Sequence, residues 1–301
     1  MKKGSVYRLK ELLQKYHLFL MTITLILMGL IFIILMIPIT GHTTIDNPIE
    51  IHNSNNIDII NGTEELKFIT VGDPQINSTT FEGVERLKQV VNFANKSDVD
   101  FIVFEGDMTG DGTNKSNDIV KDILKDLKKP YYVVIGNHDI YVSSKVFESY
   151  YGPADHIENV NGYQLLFIGI NHNKNENGDV IKLNWSFDFS KADKNIPTLV
   201  FIHGPVRKIP TGCLYCRFQP DILAYGFSIR HELNKFTNLI GVYSGHVHYD
   251  SNRVVDGIRY VTTNGLINIT IDEIPIAHPS NKVGYSIIRG NKSYYTLVSY
   301  I

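Results

Sequence analysis

Only two cysteines occur in the 301 residues, Cys213 and Cys216 in "TGCLYCRF", so the chain has neither a disulfide framework nor a second thiol pair to complete a four-cysteine zinc site. The single C-x-x-C lacks the βαβ surroundings of a thioredoxin-like centre, which leaves a small local disulfide or a pair of unreactive thiols. Long basic runs are missing too. Twenty-nine Lys and Arg stand against thirty-one Asp and Glu, a formal charge of −2, so no stretch is built to follow a polyanionic backbone, and polymeric nucleic acid is not an expected partner. The densest basic stretch, "KDILKDLKK" (121–129), keeps Ile123, Leu124 and Leu127 on one helical face with the lysines outside, the pattern of a solvated helix. There is no internal repeat and no sign of a second globular domain. Apolar residues make up 43% of the chain, enough for a large core.

What the sequence does have is one long apolar run, "LFLMTITLILMGLIFIILMI" (18–37), twenty residues without a charge, which as a helix covers the hydrocarbon layer of about 30 Å. A cleaved signal peptide would show a shorter core and a small-x-small site, whereas Pro38 and Ile39 follow here. Lys2, Lys3, Arg8, Lys10 and Lys15 precede the run, and its carboxyl flank carries Asp46 and Glu50 but no Lys or Arg. The positive-inside rule then keeps the amino end in the cytoplasm and sends the rest across. Residues 1–16 are expected to be a cytoplasmic tail, 17–37 a transmembrane signal anchor in a lipid membrane, 38–64 a stalk rich in Asn and β-branched residues, and 65–301 the globular domain. Seven Asn-x-Ser/Thr sites, a modest excess, bear on the same location.

From residue 66 the pattern changes. "LKFITVGD", "DFIVFEGD", "YYVVIGNHD", "YQLLFIGIN", "TLVFIHG" and "LIGVYSGH" are short apolar runs that end abruptly in Gly, Asp, Asn or His. They read as buried strands with polar residues at their carboxyl ends. Helical patterns at 80–96 and 115–129 separate the first three, and period-two alternation after residue 253 predicts antiparallel strands at the end of the chain. Ligands of open α/β sheets sit outside the carboxyl ends of the strands. That edge receives Asp73 and Gln75, Asp107, Asn137 and His138, Asn171, His203, and His246 with His248. Carboxylates, amides and imidazoles in such number suit divalent transition metals and exceed what one ion needs, so the simplest fit is two ions about 3.5–4 Å apart. The bland alternative for Asp73 and Asp107, capping of the following helices, is weaker for Asp107 because no clear helix start follows it closely. Asn171 and His172 in "GINHN" read as a surface loop rather than as substrate contacts. Residues 204–230, aromatic and set between two of these strands, form either a pocket wall or an ordinary packed excursion.

These motifs, in order, resemble the calcineurin-like metallophosphoesterases. "GDPQ" stands for D-x-H, "GDMTG" (106–110) for G-D-x-x-G, then come "GNHD" (136–139), the lone His203 in "FIHGP", and "GHVH" (245–248). The resemblance covers residues 66 to 265. It implies a four-layer α/β/β/α sandwich of two mixed sheets and a binuclear centre that hydrolyses a small phosphoester. By it, Asp107 bridges both ions, Asp73, Gln75 and His248 face the first, Asn137, His203 and His246 face the second, and His138 meets the phosphate or protonates the leaving group, with Asp139 placed to orient it. The departure is Gln75, where the family usually has His. An amide oxygen is a harder ligand than imidazole, so among Mn, Fe and Zn it favours Mn. The expected function is therefore a membrane-anchored phosphatase or phosphodiesterase acting outside the cytoplasm. Its rivals are a cytoplasm-facing nucleotide phosphodiesterase, which the charge asymmetry opposes, and a metal-bound scaffold without catalysis. Nothing in the sequence sets the oligomeric state.

Overall fold

A computed structural model of the chain describes residues 63–81, 83–174, 180–185, 187–209, 221–267, 269–271, 274–277 and 279–301, all within one unit, Ser54–Ile301. The tail 1–16, the apolar run 17–37, the stalk through residue 62, and Cys213 with Cys216 lie outside the described residues. Among the described residues no helix is long and apolar enough to cross a membrane.

The first half alternates strand and helix: β1 (Leu66–Val71), α1 (Val84–Lys96), β2 (Phe101–Phe104), α2 (Asn114–Leu124), β3 (Tyr131–Val133), α3 (Ser144–Tyr151). Then come β4 (His156–Val160), β5 (Tyr163–Ile168), β6 (Ile170–Lys174), β7 (Val180–Trp185), β8 (Thr198–Ile202), α4 (Asp221–Leu233) and β9 (Leu239–Ser244). The chain ends in β10 (Ser251–Val255), β11 (Ile258–Thr262), β12 (Ile269–Ile271), β13 (Ile274–Ala277), β14 (Lys282–Arg289) and β15 (Lys292–Ser299).

Two mixed sheets result, as the family resemblance implied. One has the order β15-β14-β1-β2-β3, the other β10-β11-β9-β8-β5-β4. In the first, β1, β2 and β3 are parallel and β14 runs antiparallel to β1; in the second, β5, β8, β9 and β11 are parallel and β4 and β10 close the edges antiparallel. The strands read as continuous apolar runs because both of their faces are covered. Along β1, Leu66 and Phe68 join a core shared with Phe201 and Tyr243 of the other sheet, while Ile69 and Val71 join the cluster that contains Leu87 and Val90 of α1. The Phe68 ring meets Phe201 and Tyr243 edge-on at 5.5 and 5.1 Å, which ties sheet to sheet.

Three details differ from the expectation. Both helices are shorter than their apolar period. α1 starts after Gly83, whose φ of 82° is left-handed, and α2 stops at Leu124, where the amides of Asp126 and Leu127 turn to carbonyls three residues back and Asn95 takes the Lys128 amide. The hairpins expected at the end are present, β10–β11 through Asp256-Gly257 at φ 54° and 81°, and β14–β15, but β11 also runs parallel to β9. Asn171 lies exposed on β6, paired with β7 in a two-stranded ribbon, so a strand runs where the sequence suggested a loop.

Candidate metal centre

The parallel strands bring their carboxyl ends to one edge, and the turns that leave them are strained. Asp73, Gln75, Asp107, His246 and His248 all have positive φ, between 38° and 69°, a region that side-chain-bearing residues seldom enter. Such strain persists where the surroundings over-determine it and clusters at functional sites. Close approach explains the motif glycines. A Cβ at Gly136 would sit 2.1 Å from both the amide nitrogen and Oδ1 of Asp107, and one at Gly245 would sit 2.5 Å from Asp73 Oδ2.

Neither early carboxylate caps a helix. The N-cap of α2 is Thr113, whose side chain accepts from the Ser116 amide, and that of α1 is Gly83. Instead the carboxylates staple the turns together. The His246 amide donates to Asp73 Oδ2 at 2.8 Å and Oδ1 at 3.1 Å, and the His138 amide donates to Asp107 Oδ1 at 2.8 Å. This leaves Asp107 Oδ2 facing inward, 3.1 Å from Gln75 Nε2, 3.4 Å from His203 Nε2 and 3.9 Å from His138 Nε2.

Seven predicted positions thus meet around one carboxylate. On one side Gln75 Nε2 lies 3.4 Å and Asp73 Oδ1 3.5 Å from His248 Nε2. On the other, His203 Nε2 lies 2.9 Å from Asn137 Oδ1 and 3.1 Å from His246 Nδ1. Donor atoms of Asp107, His203 and His246 all fall within 4.8 Å of one another. His203 Nδ1–H donates to the Glu105 carbonyl at 2.7 Å, which turns Nε2 toward the cluster. His138, about a quarter exposed, completes the set at the solvent side. Its Nδ1 is held by the Gly110 carbonyl at 3.0 Å, which corrects the expectation that Asp139 orients it. Asp139 braces two turns instead: Oδ1 accepts the amide and hydroxyl of Thr109, and Oδ2 the amide of Gly136.

The electrostatics ask for a cation. Burial pushes the Asp73 carboxyl well above the usual range, and the neighbouring Asp107 charge adds to the rise. Burial also opposes ionisation of Asp107, but His203 and His138 outweigh it and hold its carboxyl low. His203 answers in kind: against the cost of burial, Asp107 and Asp73 push its pKa up to about 10. Burial and the charge on His203 push His246 down to about 3, and burial takes His248 down to about 4. Two buried carboxylates and several imidazole nitrogens aimed at one spot repel unless positive charge lies among them, so the residues fit a metal centre. Gln75 fits after a 180° turn of its amide, which exchanges Nε2 for Oε1 facing Asp107.

A family model described as "Calcineurin-like phosphoesterase" matches residues 66–250, more than half of the chain. The chain belongs to the calcineurin-like phosphoesterases. Such a chain is a phosphoester hydrolase. A curated protein of Arcobacter nitrofigilis named "Probable glycerophosphodiester phosphodiesterase" is 26% identical over 206 residues, covering 66% of this chain and 70% of the relative. Among solved structures, a dimetal phosphatase from Danio rerio superposes with a TM-score of 0.54 at 16% identity, over 78% of this chain and 99% of that one. A purple acid phosphatase from yellow lupin (Lupinus luteus) gives 0.54 at 10% identity, over 78% of this chain and 52% of that one. At these identities the structural likeness is one of fold, and it agrees with the two sheets.

One residue escaped the reading of this calcineurin-like phosphoesterase sequence. Glu105 is fully buried, and burial raises its carboxyl far above the ordinary range; neither oxygen has a partner among the described residues. An acid set inside the apolar run "DFIVFEGD" was the available signal. Its backbone carbonyl, which fixes His203, carries no signature in a side chain.

Proposed function

We propose that this protein hydrolyses small phosphoesters with two divalent metal ions, tethered by residues 17–37 and with its domain 65–301 outside the cytoplasm. The observation that carries the two-metal reading is the place of Asp107, whose Oδ2 belongs at once to the Gln75 side and to the His203 side. Asp73, Gln75, Asp107 and His248 would hold one ion, and Asp107, Asn137, His203 and His246 the other. Bound there, the ions supply a water acidic enough to act as hydroxide near neutral pH and a positive clamp for the phosphoryl oxygens.

The chain's own residues do the rest. The His138 amide holds Asp107 by Oδ1 and leaves Oδ2 facing inward, and the His246 amide spans both oxygens of Asp73, of which Oδ1 still faces His248. The Gly110 carbonyl accepts from His138 Nδ1–H and so turns Nε2 toward the cluster, 3.9 Å from Asp107 Oδ2, where the imidazolium form would hand its Nε2 proton to the departing oxygen. Gln75 makes one ligand set rich in oxygen, which supports manganese in that position. The name of the Arcobacter relative supports glycerophosphodiesters as the first substrates to try. The anchor rests on the uncharged run and the positive charges before it.

The test is turnover of bis(p-nitrophenyl) phosphate by the full chain with added metal. Asp107→Asn keeps the size and removes the shared charge, so activity is expected to fall on the order of 10³-fold or more. Near-normal turnover with unchanged metal content rejects the two-metal reading. No turnover of any phosphoester by metal-loaded wild type favours the scaffold.

A further inference from the structure

On the second sheet, outside the metal cluster, a small cleft of about 20 Å³, open to solvent, lies beside the carboxyl ends of β8, β9 and β11. Arg207, Lys208, Ser251, Arg253, Tyr260 and Thr262 are among its lining residues, and none of them belongs to the metal cluster. Arg207, Lys208 and Arg253 line it, and a third arginine, Arg230, packs beside Arg207 without lining it. Arg207 follows β8, and its guanidinium lies over the half-buried-to-buried Tyr260 ring at 4.6 Å. Arg253, on β10, donates Nη1–H to the Lys208 carbonyl at 2.9 Å. Arg230, on α4, donates to the Val206 carbonyl, next to Arg207.

This positive charge is poorly compensated. The one carboxylate paired with any of the four cations among the described residues is Asp256, 4.0 Å from Arg207 Nη2, and its side chain is 85% exposed. Exposed pairs at that distance contribute little. Arg207 Nε is buried and has no acceptor among the described residues. Burial and the neighbouring Arg207 charge both lower the pKa of Arg230, as expected of guanidinium groups packed near each other. A surface clasp would show arginines matched to carboxylates. Here a guanidinium lies over an aromatic ring, beside further cations and the hydroxyls of Ser251 and Thr262.

We propose that this cleft is a second anion site, which takes a dianionic phosphate, free or as a phosphomonoester. The Arg207 fork matches two phosphate oxygens, and Lys208 and Arg253 add charge without a fixed geometry. The loop that carries Arg207 leaves the same strand end as His203, so an anion held here sits on the backbone that positions one of the metal-facing imidazoles. The inference does not rest on the hydrolase reading, because the site needs no metal.

The experiment uses the full chain stripped of metal, so that the metal centre does not retain phosphate. Calorimetric titration with inorganic phosphate is expected to show one site per chain, weakened about tenfold or more by Arg207→Ala and by Arg253→Ala, and partly restored in Arg207→Lys. Binding should also weaken as ionic strength rises. Should Arg207→Ala fold poorly by circular dichroism, the exposed Lys208→Ala takes its place with the same expectation. Wild type that binds no phosphate at millimolar concentration, or variants that bind as wild type does, overturn the proposal. A second arm separates the sources. In the metal-loaded chain, a KM that rises in Arg207→Ala for a substrate with two phosphate groups, and not for one with a single group, assigns the anion to the substrate. Equal KM values with lost phosphate binding assign it to free phosphate.

Discussion

Asp73, Gln75, Asp107, Asn137, His203, His246 and His248 were legible in the sequence because a metal centre needs polar residues where apolar strands stop, and few other demands put them there. What each donor atom does was not legible. Gln75 is the residue most particular to this chain, and replacing it tests the oxygen-rich ligand set. Metal-stripped wild type is expected to regain most activity with Mn²⁺, while Gln75→His shifts the ranking toward Zn²⁺ or Fe²⁺. Identical rankings across a metal series remove Gln75 from the ligands. His203 sets a pH dependence of the metal-free chain. Its pKa in the fold is raised to about 10 from an ordinary 6.5, so its contribution to stability is complete below about pH 6.5 and is lost as pH climbs toward 10. His246 and His248, pushed down to about 3 and about 4, finish titrating below that window. The melting temperature of the metal-free chain should fall from pH 7 to 10, whereas a bound metal takes the place of the His203 proton and flattens the curve. Parallel curves with and without metal would show that His203 does not exchange a proton for a cation.

At the scale of elements, the strand-to-loop turns build the site, and their glycines are set by neighbours distant in sequence. Gly245 has no room for a side chain because Asp73 Oδ2 and the Glu105 carbonyl lie 2.5 and 3.1 Å from where its Cβ would be. Gly245→Ala must push the His246 turn away from Asp73, so metal content and turnover should fall together, activity by about 10²-fold. Gly152 serves as the comparison. Its φ of 93° strains any side chain, yet nothing lies within 4 Å of its Cβ position. Gly152→Ala should cost about 1–3 kcal/mol in chemical denaturation and leave metal content as it was. If Gly245→Ala keeps its metal, the turn has more slack than these distances allow. Strand positions could be read from apolar runs, but α1 and α2 were over-extended, since amphipathic period extends beyond Gly83 at one and beyond the tightened turn after Leu124 at the other.

For the whole molecule, the proposed anchor makes a prediction about sidedness. Five Lys and Arg before the uncharged run and none close after it lead to the expectation that protease added to intact cells digests residues beyond about 40 and spares the amino tail. A domain protected until the cells are lysed reverses the orientation. The sequence by itself determined the strands and the residues that gather at the sheet edge, because strand periodicity and the residue types that bind metal are local properties, and the resemblance carried by those motifs supplied the family and the two-sheet architecture. Only the tertiary structure decided that Asp107 turns one oxygen to the His138 amide and the other to the cluster, that Gly110 rather than Asp139 holds His138, that Glu105 is sealed in the core, and that Arg207, Lys208 and Arg253 line one cleft. Each of these depends on contacts between segments far apart in the chain, whose distances are set by how the two sheets pack and not by any pattern along one strand.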